Sequence, residues 1–260
     1  MKPISKTITV VTIALVATGY HANADLAFET ETARPIEAGK AQVSGAAEYL
    51  FGKDGKEFAL PLALEYGLIK DLEILFEPIP YASVRGKGEK AISGVGDTEF
   101  TLNYLAIHEQ NWVPAISFAT EVKVPTAAKL QLGSGEYDYR FFMAASKRIG
   151  PVDFHANVGY NVIGSPSGVN TRNPLDLSLA AEWFVCKDYE LYAEINYQGT
   201  SLGSGNTTKA ATVTPEVGGK TIVGTAGIRY HLTDTVAIFT SYSYDNSKDN
   251  LIRLGASWNF

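Results

Sequence analysis

The sequence predicts an all-β fold: a transmembrane, up-and-down, antiparallel β-barrel, with twelve strands as the best count and ten or fourteen within reach. Three observations predict it. Alternation of apolar and polar residues with period two recurs from residue 41 to residue 260, and no segment keeps a helical period. The connections between alternating segments switch between tight turns and longer loops. The aromatic residues of the apolar face gather at the two ends of the segments, with Leu, Ile, Val, Ala and Gly between them.

The first 24 residues stand apart. Lys2 and Lys6 precede the apolar run ITVVTIALVATG, and Ala22 and Ala24 in HANA give the small-x-small pattern of a cleavage site. Residues 1–24 therefore read as a secretory signal peptide, cut after Ala24. The run is too short for a spanning helix, which needs about 20 residues. The chain has 260 residues and a formal net charge of −6, and removing the leader takes two lysines and no acid. An acidic chain without a basic block is a poor match for nucleic acid. The one cysteine, Cys186, allows no internal disulfide.

Residues 25–40, DLAFETETARPIEAGK, are too polar for a bilayer. They are expected either to hang in the periplasm or to fold into the lumen as a plug.

Twelve alternating segments follow, at 41–51, 56–66, 71–82, 96–107, 113–124, 137–148, 152–163, 174–185, 190–201, 220–231, 235–244 and 250–260. Each is about ten to twelve residues long, the length a tilted strand needs to cross a membrane and about twice that of a common soluble strand. GLIKD, HEQN, RIGP, CKD and LTDT join them at one end. RGKGEKAISG, PTAAKLQLGSGE, GSPSGVNTRN and GSGNTTKAATVTPEVGGK, with the shorter GKDG and DNSKD, join them at the other. Short turns at one end and loops at the other are the outer-membrane pattern. In the eighth segment Leu175, Leu177, Leu179 and Trp183 share one face, and Asp176, Ser178 and Glu182 share the other. On the apolar face Tyr66, Tyr104, Trp183, Tyr230, Trp258 and Phe260 form a girdle at the turn end, and Tyr49, Phe58, Tyr139, Tyr160, Tyr197 and Tyr242 form a second at the loop end. The last strand, LIRLGASWNF, is expected to close on the first, because an open edge in hydrocarbon leaves backbone groups unpaired.

The polar face lines the lumen in this reading. Near the loop end it brings together Asp97, Glu99, Glu121, Lys123, Asp138 and Arg140, with Arg253 at a similar height. Such a set is either a charged constriction that biases passing solutes or a group of lumenal salt bridges. A lower set, Glu65, Glu73, Arg148, Asp153, His155 and Arg229, lies near the turn end. Acids outnumber bases, so an open lumen would favour cations. A Ser-His-acid site would need a histidine at the lipid face beside a serine. His108 and His231 instead fall at turns and His155 points inward, so no enzyme is expected. No metal-ligand spacing or phosphate-binding context occurs, so no cofactor is expected.

The phrases FETETARPIEAGK, LALEYGLIKDLEI, GVGDTEFTLNY and VPAISFATEVKVPT resemble the outer-membrane family described as "Putative MetA-pathway of phenol degradation", most strongly between residues 26 and 126. That resemblance implies an outer-membrane barrel of a Gram-negative bacterium that passively admits small solutes, hydrophobic or aromatic ones among them. Its partners would be outer-membrane lipids, the solute and, through Phe260, the barrel-assembly machinery. The competing readings are a non-conducting structural or surface-binding barrel and, remotely, an outer-membrane enzyme.

Overall fold

The computed structural model describes residues 26–201 and 220–260. The expected leader, 1–24, and the loop GSGNTTKAATVTPEVGG, 203–219, lie outside them.

Among the described residues fifteen strand segments form one antiparallel sheet that closes on itself. They are β1 (Ala41–Phe51), β2 (Gly55–Leu60), β3 (Leu62–Ile69), β4 (Leu72–Pro78), β5 (Tyr81–Gly86), β6 (Ile92–Gly94), β7 (Thr98–Ile107), β8 (Ala115–Val124), β9 (Asp138–Ile149), β10 (Val152–Val162), β11 (Leu175–Phe184), β12 (Tyr189–Gln198), β13 (Thr221–His231), β14 (Val236–Asp245) and β15 (Asn250–Asn259). Three of the twelve walls are each broken into two segments. β2 and β3 part at Pro61, β4 and β5 at Ile79–Pro80, and β6 and β7 at residues 95–97. A proline has no N–H to give the ladder. Each pair still follows one course: β1 meets β2 at its loop end and β3 at its turn end. The barrel thus has twelve staves. β15 pairs with β1 from Gln42↔Asn259 to Phe51↔Asn250, and the Phe260 N–H adds a bond to the Ala41 carbonyl at 2.8 Å.

The region 85–94, expected as a long loop, is instead half strand. β5 and β6 continue the wall beyond the others and turn through residues 87–91. Alternation across Tyr81, Ser83 and Arg85 is the signal for this, masked by the glycines and lysines that follow.

The apolar face points outward. Leu62, Leu102, Leu179, Ile195, Ile238 and Leu254 are 38–60% exposed, a surface that only lipid would cover favourably. Tyr66, Tyr104, Trp183, Trp258 and Phe260 are exposed at the turn end. Tyr230 is half-buried, its ring 4.7 Å from that of Tyr189. At the loop end Tyr197 is half-buried with Lys220 Nζ 5.1 Å over its ring. Phe118 stands opposite Tyr104 and Phe141 opposite Tyr160, so both phenylalanines join the belts.

The inward face carries a packed core as well as polar groups. Phe28 and Ala27 meet Ala46, Ala180, Tyr192 and Phe239 in one cluster, and Ala33 meets Leu105, Ala115, Ala119, Phe142 and Ala144 in another. Glycines in the wall make room for two of these rings. A Cβ on Gly227 would sit 2.3 Å from the Tyr192 ring, and one on Gly255 would sit 2.3 Å from the Phe239 ring.

Candidate functional site

The described part of the amino-terminal segment, residues 26–40, packs against the inward face of the sheet. It enters at the turn end, where Ala38 bridges Gly67 and the Gly39 N–H donates to the Gly67 carbonyl at 2.8 Å. From there it climbs to Leu26, whose carbonyl accepts from Arg253 Nη1 at 2.9 Å.

The segment adds no strand to the wall, so lumenal side chains meet its backbone. Glu73 Oε2 accepts the Ile36 N–H at 2.6 Å, and Ser146 Oγ accepts the Ala33 N–H at 2.8 Å. Asn157 takes both sides of Glu31, accepting its N–H at 2.7 Å and donating to its carbonyl at 2.8 Å. Glu194 accepts the N–H groups of Glu29 and Thr30 and the Thr30 hydroxyl, at 3.1, 3.0 and 2.8 Å. These bonds satisfy a buried backbone that would otherwise be costly. Phe28 anchors the top, its ring 5.5 Å from Tyr192. Burying such a ring is worth about 1.5–3 kcal/mol.

Gly67 is the narrowest seat. A Cβ there would fall 2.2 Å from the Glu37 carbonyl oxygen. Gly67→Ala should therefore lift the segment's root while leaving the wall closed. Tryptic cleavage after Lys40 in the folded protein should speed up, and unchanged protection would contradict this seating.

The lower set of predicted residues serves this plug and the wall around it. Arg34 donates to Asp153 at 2.8 and 3.1 Å and pairs with Glu109, which also receives Lys147 Nζ at 2.7 Å. Arg148 lies over the Phe184 ring at 4.0 Å. Glu65 accepts from Gln42 at 3.1 Å and Glu73 from Asn103 at 3.0 Å. Arg229 joins Glu182 at 3.1 Å and Glu190 at 2.6 Å. His155 Nδ1 is hydrogen-bonded to Ser146 Oγ at 2.8 Å, and its Nε2 lies 3.5 Å from Glu182 Oε2. The serine, histidine and acid are fully buried, and the serine oxygen already holds the plug's Ala33 N–H. Their geometry is that of an anchor.

Glu109 lies in the turn after β7, outside the spanning strands. Burial raises its carboxyl, but hydrogen bonds from Lys147 and Arg34 outweigh that and hold it below its ordinary value of 4.5. A carboxyl lowered on folding contributes stability above its ordinary value and loses it as pH falls through the lowered one. The Arg34 latch should thus be intact at neutral pH and weaken below about pH 4. Wild type should lose thermal stability over that range, and Glu109→Gln should lose less. Parallel pH curves would remove Glu109 from the latch.

Above the plug, at the loop end, lies a cavity of about 450 Å³. Leu26, Phe28, Glu29 and Glu31 form its floor. The walls carry Glu65, Glu77, Glu99, Glu121, Asp138 and Asp176 against Lys123, Arg140 and Arg253. The upper predicted set gathers here, with one exception and one change of character. Asp97 is buried beside the lining, not in it, and accepts the Ala127 N–H at 2.9 Å from the loop before β9. The bases are held in ion pairs and do not form a free ring: Lys123 with Asp138 and, at 3.7 Å, Asp97; Arg140 with Glu121 at 3.3 Å and Asp176 at 2.9 Å; Arg253 with Glu48 at 2.6 Å and with Glu29 of the plug.

Sequence reasoning passed over Glu77, Asn157, Asp176 and Glu194 as site residues. Their inward parity was visible. Their partners were not, because those lie across the lumen or on a segment with no pattern of its own.

No curated protein matches the chain. Among solved structures it is similar to an outer-membrane channel from Pseudomonas putida F1, at 11% identity and a TM-score of 0.68, over 90% of this chain and 100% of that one. It is similar to the NanC porin at 12% identity and a TM-score of 0.59, over 83% of this chain and 98% of that one. The KdgM porin in complex with disordered oligogalacturonate gives 11% identity and a TM-score of 0.55, over 84% and 99%. At these identities the likeness is one of fold. The family model for "Putative MetA-pathway of phenol degradation" matches residues 72–260. The phrases at 94–104 and 113–126 fall inside the match, that at 28–40 falls before it, and that at 62–74 straddles its start. A match over most of the barrel carries the identification: the chain belongs to the family described as "Putative MetA-pathway of phenol degradation".

Proposed function

We propose that this protein is an outer-membrane channel for small solutes, closed at rest by its own amino-terminal segment. One observation carries the reading. Residues 26–39 are threaded through the lumen and held there by side chains, without a ladder bond to any strand beyond the root at Gly67. A structural barrel could fill its lumen with wall residues alone. A tethered segment held by separate contacts can leave as a unit.

The channel lies in the outer membrane of a Gram-negative bacterium after removal of residues 1–24. Phe260 is its signal to the assembly machinery, and lipid covers the outer face. Transport is passive, with no catalytic step. The upper predicted residues act as the vestibule wall, where carboxylates outnumber bases and favour cations. An aromatic solute, which the family description suggests, would meet Tyr192 and Phe239 only after Phe28 leaves them. The packing of Ala33 against Phe142 and Leu105 favours the second reading, a permanently closed barrel whose loops do the work.

Planar-bilayer recording of the full-length protein across a KCl gradient tests the reading. Rare, brief openings with a cation-selective reversal potential are expected. Chloride preference would overturn the assignment of the vestibule.

A further inference from the structure

The outer wall carries a charged feature that conduction does not use. Lys56 on β2 and Arg85 on β5 are direct cross-strand partners at the loop end. Both are exposed, on the outward face that they share with Phe58, Leu60 and Tyr81. Like charges directly opposed on neighbouring strands repel. Their contacts do little to offset this: Lys56 Nζ sits 6.0 Å over the Tyr49 ring, and Arg85 Nε donates to the Glu89 backbone carbonyl at 3.2 Å. The Glu89 carboxylate lies elsewhere, beside Gly86 on the inner face. Directly toward the membrane centre, Phe58, Leu60 and Tyr81 are 36–41% exposed. Cations therefore cap an apolar column at the membrane boundary.

We propose that Lys56 and Arg85 hold the phosphate of a membrane lipid in the leaflet at the loop end, with its acyl chain laid along Phe58, Leu60 and Tyr81. Guanidinium and ammonium groups are the usual partners of phosphate, and an anion between Lys56 and Arg85 offsets their repulsion. A free phosphate has no use for the apolar column, so the surface fits a lipid. The inference needs the transmembrane fold and not conduction.

The test compares wild type with the double variant Lys56→Gln/Arg85→Gln, each shown to be folded by heat-modifiable gel mobility. Retention of phosphorylated and of dephosphorylated lipid A is measured by native mass spectrometry from detergent. Wild type should prefer the phosphorylated lipid, and the double variant should lose that preference by about tenfold or more, as expected for two cations at a membrane surface. Lys70→Gln/Lys187→Gln, at the turn end, should keep it. Equal retention of the two lipids by wild type would overturn the proposal, as would a preference that survives the double variant or an equal loss in the turn-end control. Displacement by inorganic phosphate at matched concentration would overturn the choice of a lipid. Bilayer conductance recorded on the same samples reads the channel separately, so either idea can fail alone.

Discussion

Deleting residues 25–38 should convert a closed or barely conducting barrel into a pore with discrete steps, several-fold above full-length protein in the same membrane. The wall does not need the segment. Its ladder starts at β1, and closure runs from Gln42↔Asn259 upward. Removal exposes Tyr192, Phe239 and Phe142 to lumenal water and frees Glu73, Asn157 and Glu194 to hydrate. The loss is several kcal/mol of packing, of which Phe28 accounts for about 1.5–3 kcal/mol. The barrel should therefore fold, which heat-modifiable mobility checks, and should be less stable. Gly67→Ala gives the same test with no residue removed, as brief openings at rising frequency. Silence in a folded deletion variant would end the channel reading and favour the closed barrel.

Much of this architecture was legible. Period-two alternation placed the strands because each residue had only two environments, lipid or lumen, and hydrocarbon admits no charge at Leu177 or Leu254. The turns declared themselves through residues that reverse a chain. Asp71 and Gly150 adopt the positive φ that such tight reversals require. Three things were not legible. The breaks at Pro61 and Ile79–Pro80 sit in uninterrupted alternation, and only the ladder shows that the wall parts there. The ion pairs of the vestibule depend on the stagger between strands: Arg140 of β9 reaches Asp176 of β11 past β10. The plug has no periodicity because it makes no sheet. DLAFETETARPIEAGK reads as polar tail or lumenal plug until the matching acceptors, Ser146, Asn157 and Glu194, are seen at the heights of Ala33, Glu31 and Thr30.

The two charged tiers should answer substitution differently, and Arg229→Met beside Arg140→Met separates them. Arg229 and its partners Glu182 and Glu190 are 0–6% exposed, shut in beneath the plug. Taking the cation away leaves the Glu182 and Glu190 carboxylates buried with only the imidazoles of His155 and His231 beside them. Breaking a buried pair in this way costs about 3–5 kcal/mol. Unfolding of the Arg229→Met barrel in urea should show a loss of that size, and the channel that remains should select ions as before. Arg140 and its partners are 13–19% exposed and border the cavity, so water can hydrate Glu121 and Asp176 once the guanidinium is gone. The expected loss is about 1–2 kcal/mol, nearer that of a wet ion pair. Selectivity should move instead, because one of three vestibule cations disappears and the balance of eight carboxylates shifts further. In the Gly67→Ala background, which keeps the whole segment, the reversal potential across a KCl gradient should shift toward potassium for Arg140→Met and stay put for Arg229→Met. A shift of equal size in both would mean that ions reach the lower tier, and that the boundary between anchor and vestibule lies deeper than Phe28.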